Sequence, residues 1–239
     1  MYQYLLSTLF VLLLWVGIFL KRRDVRPAMW RGSVLYVALL SVGFVVYRIF
    51  FHDPVRAITP GYWAPPTLLN LQRITHGFGI EDALFMFTFG GIAAVIVECV
   101  LRKKLPPVNG KKLNFMGLAA VLAVGALGSL VVYFAAYLSD MYLLISSSFF
   151  AGLAIMVLRK DLIPHALAGG TLFLLLYGTL FVLFAHVVAP HFIALYYHQR
   201  ATSGVHFLSI PIEEFMYAFA FGMFWAPLYR FAYGLKAAE

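Results

Sequence analysis

The chain has 239 residues, 63% of them hydrophobic and 12% charged, with a formal net charge of +8. Soluble domains carry about 25% charged residues, so the composition excludes an ordinary soluble fold and points to an integral membrane protein. The positive charges stand in short clusters between apolar runs, as topology signals do, which argues against a nucleic-acid partner. The single cysteine, Cys99, excludes an intramolecular disulfide and reads as a small buried hydrophobe.

The apolar runs have the length a helix needs to cross the hydrocarbon core and lack the short alternating segments of a barrel. An all-α, polytopic membrane helix bundle is expected. Its first span runs from about Tyr2 to Leu20; its basic residues, Lys21-Arg22-Arg23, follow it, so it reads as a retained span and not as a signal peptide. The second covers about Gly32 to Phe51. A long connection, His52 to Gly77, carries Pro54, Pro60, Pro65 and Pro66 and an interfacial Tyr62-Trp63 pair, and reads as a lid or as slack. The third span opens near Phe78 and ends before Arg102-Lys103-Lys104; the fourth covers about Phe115 to Leu138. The fifth, about Met141 to Leu158, stops at Arg159-Lys160-Asp161, and the sixth covers about Pro164 to Val188. A polar link from Pro190 to His206 leads to the seventh, about Phe207 to Tyr229.

Placing the links after the odd-numbered spans on one side collects 14 of the 18 basic residues there, Arg230 and Lys236 included, and leaves Arg48, Arg56, Arg73 and Arg200 on or near the other side. The positive-inside rule then puts the N-terminus outside and the C-terminus in the cytoplasm. A multi-pass protein of the cell (inner) membrane is expected.

An internal repeat orders the spans. Gly79-Ile80-Glu81-Asp82 with the Phe-rich run to Gly90 is matched, 132 positions on, by Pro211-Ile212-Glu213-Glu214 with the run to Gly222. Asp24-Val25-Arg26-Pro27 with Gly32 is matched, 137 positions on, by Asp161-Leu162-Ile163-Pro164 with Gly169. Two parallel three-helix repeats are therefore expected, residues 1–105 and 140–239, joined by a linker, 106–139, that carries the fourth span. Parallel repeats are related by an axis along the membrane normal. The shorter second offset assigns a deficit to the loop on the acid side.

Two adjacent acids opening an apolar run need a reason, because a carboxylate in hydrocarbon is expensive and by default marks function. Helix starts also favour acids, and Pro211 suits a first helical position. Adjacent helical residues point about 100° apart, so at most one acid of each pair is expected to face squarely inward. Glu213 shares a face with Tyr217, Ala220 and Phe224, and Glu81 shares one with Phe85 and Phe89. That ranks Glu213 first, with Glu81 as its partner across the repeat and Glu214 and Asp82 beside them. A carboxyl kept neutral next to an ionised one is equipped for general acid–base work. Phe85, Phe89, Tyr217, Phe221 and Phe224 are the candidate substrate-binding rings. No His or Cys stands three or four residues beyond any of these acids, which argues against a metal centre. His76, His186, His191, His198 and His206 are candidate relays or ordinary interface polars. No nucleotide-binding fingerprint is present, so no cofactor is expected, and the lack of a lysine in the spans excludes a retinal-type Schiff base.

The Pro-Ile-Glu-Glu-Phe block, its copy Gly-Ile-Glu-Asp-Ala and the two three-helix halves resemble the membrane lycopene cyclase domain family, which includes bacterial heterodimeric and fused cyclases and the cyclase half of fungal bifunctional carotenoid enzymes. The first block departs from the pattern in having Gly79 for Pro and Asp82 for Glu. The resemblance implies cofactor-independent closure of the linear ends of a lycopene-type carotenoid: protonation of a terminal alkene, ring closure through a carbocation, and deprotonation by the motif acids. It implies as partners a lipophilic carotenoid, the lipid bilayer, and either further copies of the chain or other carotenoid enzymes. Other acid-catalysed isoprenoid chemistry, a carotenoid-binding bundle and a proton-coupled membrane protein are the alternative readings of the same pattern.

Overall fold

The computed structural model describes residues 3–50, 57–75, 77–108, 110–136, 139–198 and 201–236. Arg56, His76, Arg200, most of the early part of the His52 to Gly77 connection, and the span limits expected at Tyr2, Phe51 and Leu138 lie outside the described residues.

Among the described residues, five helical segments are long and apolar enough to cross a membrane. They are α1 (Gln3–Lys21), α2 (Arg26–Phe50), α6 (Phe115–Ala136), α7 (Met141–Leu158), and α8 (Ile163–Leu183) with its continuation as a wide turn, Phe184–Val188. Their outer faces carry large exposed apolar side chains, among them Leu13, Val131, Phe134 and Val157, as a lipid-facing surface requires. Two further elements fill the centre. One is α4 (Ile80–Ala93) with the short α5 (Ile96–Val100); the other is α10 (Ile212–Ala232), buried along nearly all of its length. Helix α4 packs on α1 and α2, α10 packs on α7 and α8, and α6 lies against α7. The short helices α3 (Leu71–Ile74) and α9 (Phe192–Tyr196) belong to the connections that approach the starts of α4 and α10.

Two close helix crossings form the bundle, and both depend on glycine pairs. A Cβ on Gly32 would lie 2.8 Å from the Gly90 carbonyl, and one on Gly90 would meet the Tyr36 Cβ at 2.7 Å. At the second crossing a Cβ on Gly222 would lie 2.5 Å from the Gly169 carbonyl and 2.6 Å from the Phe173 Cβ. Small residues let backbones approach where helices cannot rely on a hydrophobic drive between them.

The turns at the opposite end from the acids are closed by Arg–Asp forks. Arg22 donates Nε to Asp24 Oδ1 at 2.9 Å and Nη2 to Oδ2 at 2.8 Å, and its remaining donors reach the Glu98 and Lys103 carbonyls. Arg159 grips Asp161 in the same way, with both contacts at 2.7 Å, and reaches the Leu235 carbonyl. Because the first fork tightens the turn and Pro27 suits a first helical turn, α2 starts at Arg26 instead of the expected Gly32.

Three further expectations are corrected. The third span is interrupted at Ala94-Val95, where Trp225 Nε1 donates to the Gly90 carbonyl at 2.8 Å and competes with the Ala94 N–H for it; a side chain inserted into the helix ladder is a common cause of such breaks. The seventh span does not begin at Phe207. Leu208 and Ser209 take positive φ, 50° and 62°, and form the turn of a small hairpin, β1 (His206–Phe207) with β2 (Ile210–Pro211), so the helix starts only at Ile212. Arg230 is not a loop charge: it is buried and donates Nε to Glu98 Oε1 at 2.9 Å.

Two outcomes are expected from this packing. Gly222→Ala should lower the detergent melting temperature through about 1–3 kcal/mol of overpacking, whereas Gly17→Ala, with nothing within 4 Å, should not. Asp24 lies between spans, and its carboxyl is held at about 2, below the ordinary 3.8, chiefly by the hydrogen bond from Arg22. A depressed carboxyl contributes stability that is present above its ordinary value and lost as pH falls toward its folded one. Melting should therefore show a loss between about pH 4 and pH 2 that Asp24→Asn removes.

Candidate active site

All four motif acids are buried at the end of the bundle where α4 and α10 begin, and each carboxyl is met by donors. Glu81 Oε1 accepts the Leu68 N–H at 2.6 Å. Glu213 Oε1 accepts the Ser203 N–H at 2.6 Å and the Tyr142 hydroxyl at 2.8 Å. Each of these two acids thus anchors a connection to the start of its helix, and the second oxygen of each has no partner among the described residues. Asp82 accepts the Tyr4 hydroxyl at 2.8 Å and, reaching back across the first turn, the Gly79 N–H at 2.7 Å. Glu214 is enclosed by phenols: Tyr62 and Tyr197 donate to Oε1, each at 3.1 Å, and Tyr177 donates to Oε2 at 2.5 Å.

A cavity of about 1520 Å³ runs beneath these groups, larger than the ~300–1,000 Å³ of most ligand pockets. Asp82 and Glu214 line it; Glu81 and Glu213 do not. Within each pair, then, the second acid faces the cavity and the first faces a connection, the reverse of the ranking that the face argument gave. The helical phase is the reason: with adjacent residues about 100° apart, Tyr217 and Phe221 share the cavity with Glu214, while Glu213 is turned toward Ser203 and Tyr142. All five candidate rings, Phe85, Phe89, Tyr217, Phe221 and Phe224, line the cavity. They form a continuous aromatic wall in which Phe89 lies 5.4 Å from Tyr177 and Tyr217 stacks on Phe221 at 5.6 Å.

The long connection after α2 closes over this chamber. Ala64 N donates to the Tyr196 carbonyl and His198 N to the Tyr62 carbonyl, both at 2.9 Å, so Tyr62-Trp63 runs antiparallel to the segment carrying Tyr197. The same contact aims Tyr62 and Tyr197 at one carboxylate oxygen. Trp63 completes the cover by packing with Tyr4 and Phe192. Of the candidate histidines, His186, His191, His198 and His206 all lie outside the cavity wall, and among the described residues no group of three or more potential metal ligands occurs.

Sequence reasoning missed the tyrosines. Tyr4, Tyr62, Tyr142, Tyr177 and Tyr197 come from five separate segments, and only the 135-residue offset between Tyr62 and Tyr197 hints at a shared role. It also missed a second buried group at the far end of the bundle, where Glu98 Oε1 faces Arg230 at 2.9 Å and His165 Nε2 at 3.6 Å.

These features define a helical membrane protein whose central helices present buried carboxyls to a lipophilic, ring-lined chamber. The family model described as lycopene cyclase matches residues 2–100 and 139–232, and the chain belongs to the lycopene cyclase family, whose members act in carotenoid cyclisation. No curated protein and no solved structure matches it.

Because Tyr62 and Tyr197 serve the same oxygen, their replacements should couple. Tyr62→Phe or Tyr197→Phe alone leaves Glu214 Oε1 one donor and should cost about 0.5–1.5 kcal/mol. The double change leaves that oxygen none, and thermal unfolding should show a loss exceeding the sum of the single ones.

Proposed function

We propose that the chain is a cofactor-independent carotenoid cyclase of the isomerase type in which Glu214 and Asp82 exchange protons with the end of a linear, lycopene-type polyene. The observation that carries this reading is the pairing of two buried carboxyls, each held by tyrosine hydroxyls, on one aromatic cavity. A proton added to the terminal double bond leaves a tertiary cation. The π electrons of a nearby double bond of the chain then close the ring and move the charge, and loss of a neighbouring proton restores a double bond. No electrons are exchanged, and the product is an isomer of the substrate. A cation over aromatic faces gains ~2 kcal/mol or more when desolvated, and Phe85, Phe89, Tyr177, Tyr217 and Phe221 supply such faces.

A phenolic hydroxyl can donate or accept. The hydroxyls around Glu214 and Asp82 can therefore turn to suit either the carboxylate or the acid, as a group that gives up and takes back a proton requires. Glu213 and Glu81 act in this reading as positioning residues: they hold the connections that carry the chamber's cover.

The same reading takes the fold as seven spans in two parallel repeats, residues 1–105 and 140–239, with α6 in the linker. The matching Gly32/Gly90 and Gly169/Gly222 crossings and the matching Arg22–Asp24 and Arg159–Asp161 forks support it. So does the family match, which falls in two stretches and leaves 101–138 between them. The clustering of basic residues favours an inner-membrane, multi-pass protein with its N-terminus outside and the acids toward the outer leaflet, although Arg230, as a buried partner of Glu98, adds nothing to that signal.

Expression in lycopene-accumulating cells with pigment analysis tests the chemistry. Glu214→Gln keeps shape and hydrogen-bonding capacity but lacks the transferable proton, and should lower cyclisation by ~10²–10⁴-fold while the protein stays folded in the membrane. Glu213→Gln, which removes no cavity group, should lose less. Near-normal ring formation by folded Glu214→Gln would reject the assignment.

A further inference from the structure

Below the acids, the cavity wall holds a polar feature that hydrocarbon cyclisation does not use. Tyr36 of α2 and Tyr217 of α10, both buried, put their hydroxyls in direct hydrogen-bond contact, and both residues line the chamber. Each phenol carries one proton, and the contact consumes only one of the two. Whichever hydroxyl donates, the other retains an O–H, and neither has a second hydrogen-bond partner among the described residues. Other wall hydroxyls are committed to carbonyls of their own helices: Ser7 donates to Tyr4, Thr8 to Leu5, Ser129 to Ala126 and Ser147 to Leu144.

Packing does not account for this pair. At the first glycine crossing Tyr36 supplies the Cβ that meets Gly90, and at the second Phe173 supplies the Cβ that meets Gly222 in the same way. Phenylalanine thus fills the equivalent place in an equivalent crossing, and the Tyr36 hydroxyl is additional to what the crossing needs. Across the repeat, Tyr217 likewise corresponds to Phe85 at the 132-residue offset. A buried hydroxyl without its full complement of partners costs free energy, so two phenols where the matching positions have two phenylalanines call for an acceptor brought in from outside the fold.

We propose that the Tyr36–Tyr217 pair is a hydrogen-bond donor site for an oxygen atom carried at or near the end of a linear polyene, a hydroxyl or a carbonyl, so that the chamber takes oxygenated end groups in preference to purely hydrocarbon ones. The proposal deepens the cyclase reading by naming the substrate class and rests on that reading for the polyene itself. Tyr217 stands one helical turn beyond Glu214 on the same face, and its ring lies 6.0 Å from that of Tyr177, which holds Glu214. The pair therefore shares a chamber with that carboxyl, about one helical turn away. No covalent step is involved; the site selects and orients.

The test is binding, read independently of turnover. The whole chain, purified in detergent, is titrated with two linear polyenes of equal length that both keep the terminal double bond, one a hydrocarbon and one bearing a hydroxyl on the carbon beside that bond, and quenching of tryptophan fluorescence reports the dissociation constants. The natural protein should bind the hydroxylated polyene about three- to tenfold more tightly, the range one neutral hydrogen bond supplies. The double Tyr36→Phe, Tyr217→Phe variant should bring the ratio of the two constants toward one, whereas either single variant leaves one phenol with its O–H free and should keep the preference. Because the readout is a ratio within one protein, a general loss of folded material cannot imitate it. A ratio near one in the natural protein, or a preference that survives in the folded double variant, overturns the proposal. Selective binding in a protein that forms no rings from either polyene would uphold the donor site and reject the cyclase reading, whereas ring formation without selectivity would do the opposite.

Discussion

A carboxyl group cannot enter a hydrocarbon environment without donors to meet it, and much of this structure follows from that constraint. Four acids stand at the starts of two central helices, and the donors they need come from outside those helices: Tyr4 from α1, Tyr142 from α7, Tyr177 from α8, Tyr62 and Tyr197 from the connections, and the backbone of Leu68 and Ser203. The connections of this chain are consequently part of the site and not slack between spans. Satisfying Glu214 brings Tyr62 and Tyr197 to one oxygen, and the backbone contact between their segments closes the chamber with the same move.

In the proposed reading, the two acids of each pair divide the work. The first, Glu81 or Glu213, bonds to backbone in the connection and fixes where the cover sits. The second, Asp82 or Glu214, meets the helix start and side-chain donors, the Gln72 amide among those at Asp82, and the phenol hydroxyls among them can turn without moving the backbone. Proton exchange at the second therefore need not disturb the cover held by the first. The end of the bundle opposite the acids is built on a different principle. There the Arg22 and Arg159 forks close exposed turns, while Glu98, Arg230 and His165 form a buried group between α5, α8 and α10. A buried ion pair is weak evidence for stability but costly to break from one side, which suits a contact joining the two central helices.

Aromatic side chains take up most of the remaining space, and their distribution separates two roles. Phe85, Phe89, Phe221 and Phe224 offer only faces and edges to the chamber, suited to a polyene or, in the proposed reaction, to a cation. Tyr36 and Tyr217 add hydroxyls at positions where the matching crossing has none.

Much of the class and site was legible in the residues alone. Composition and run length determined a helical membrane bundle, because hydrocarbon demands long apolar segments whatever the fold. The doubled acids marked the site, because their cost in hydrocarbon is a property of the carboxyl and not of its surroundings. The matching Asp24 and Asp161 turns, each with a glycine eight positions on, were visible because they are local in sequence, whereas the close helix crossings at Gly32 and Gly169 appear only in the structure. What only the tertiary structure decided was which acid of each pair reaches the cavity, since adjacent residues differ by about 100° in direction and a small rotation of α10 exchanges Glu213 for Glu214. It also decided that Phe207 to Pro211 forms a hairpin and not a helix, that Arg230 is a buried partner and not a surface charge, and that five tyrosines from separate segments meet the motif carboxyls. Those contacts join residues up to 152 positions apart, and no local pattern in the chain records such a distance.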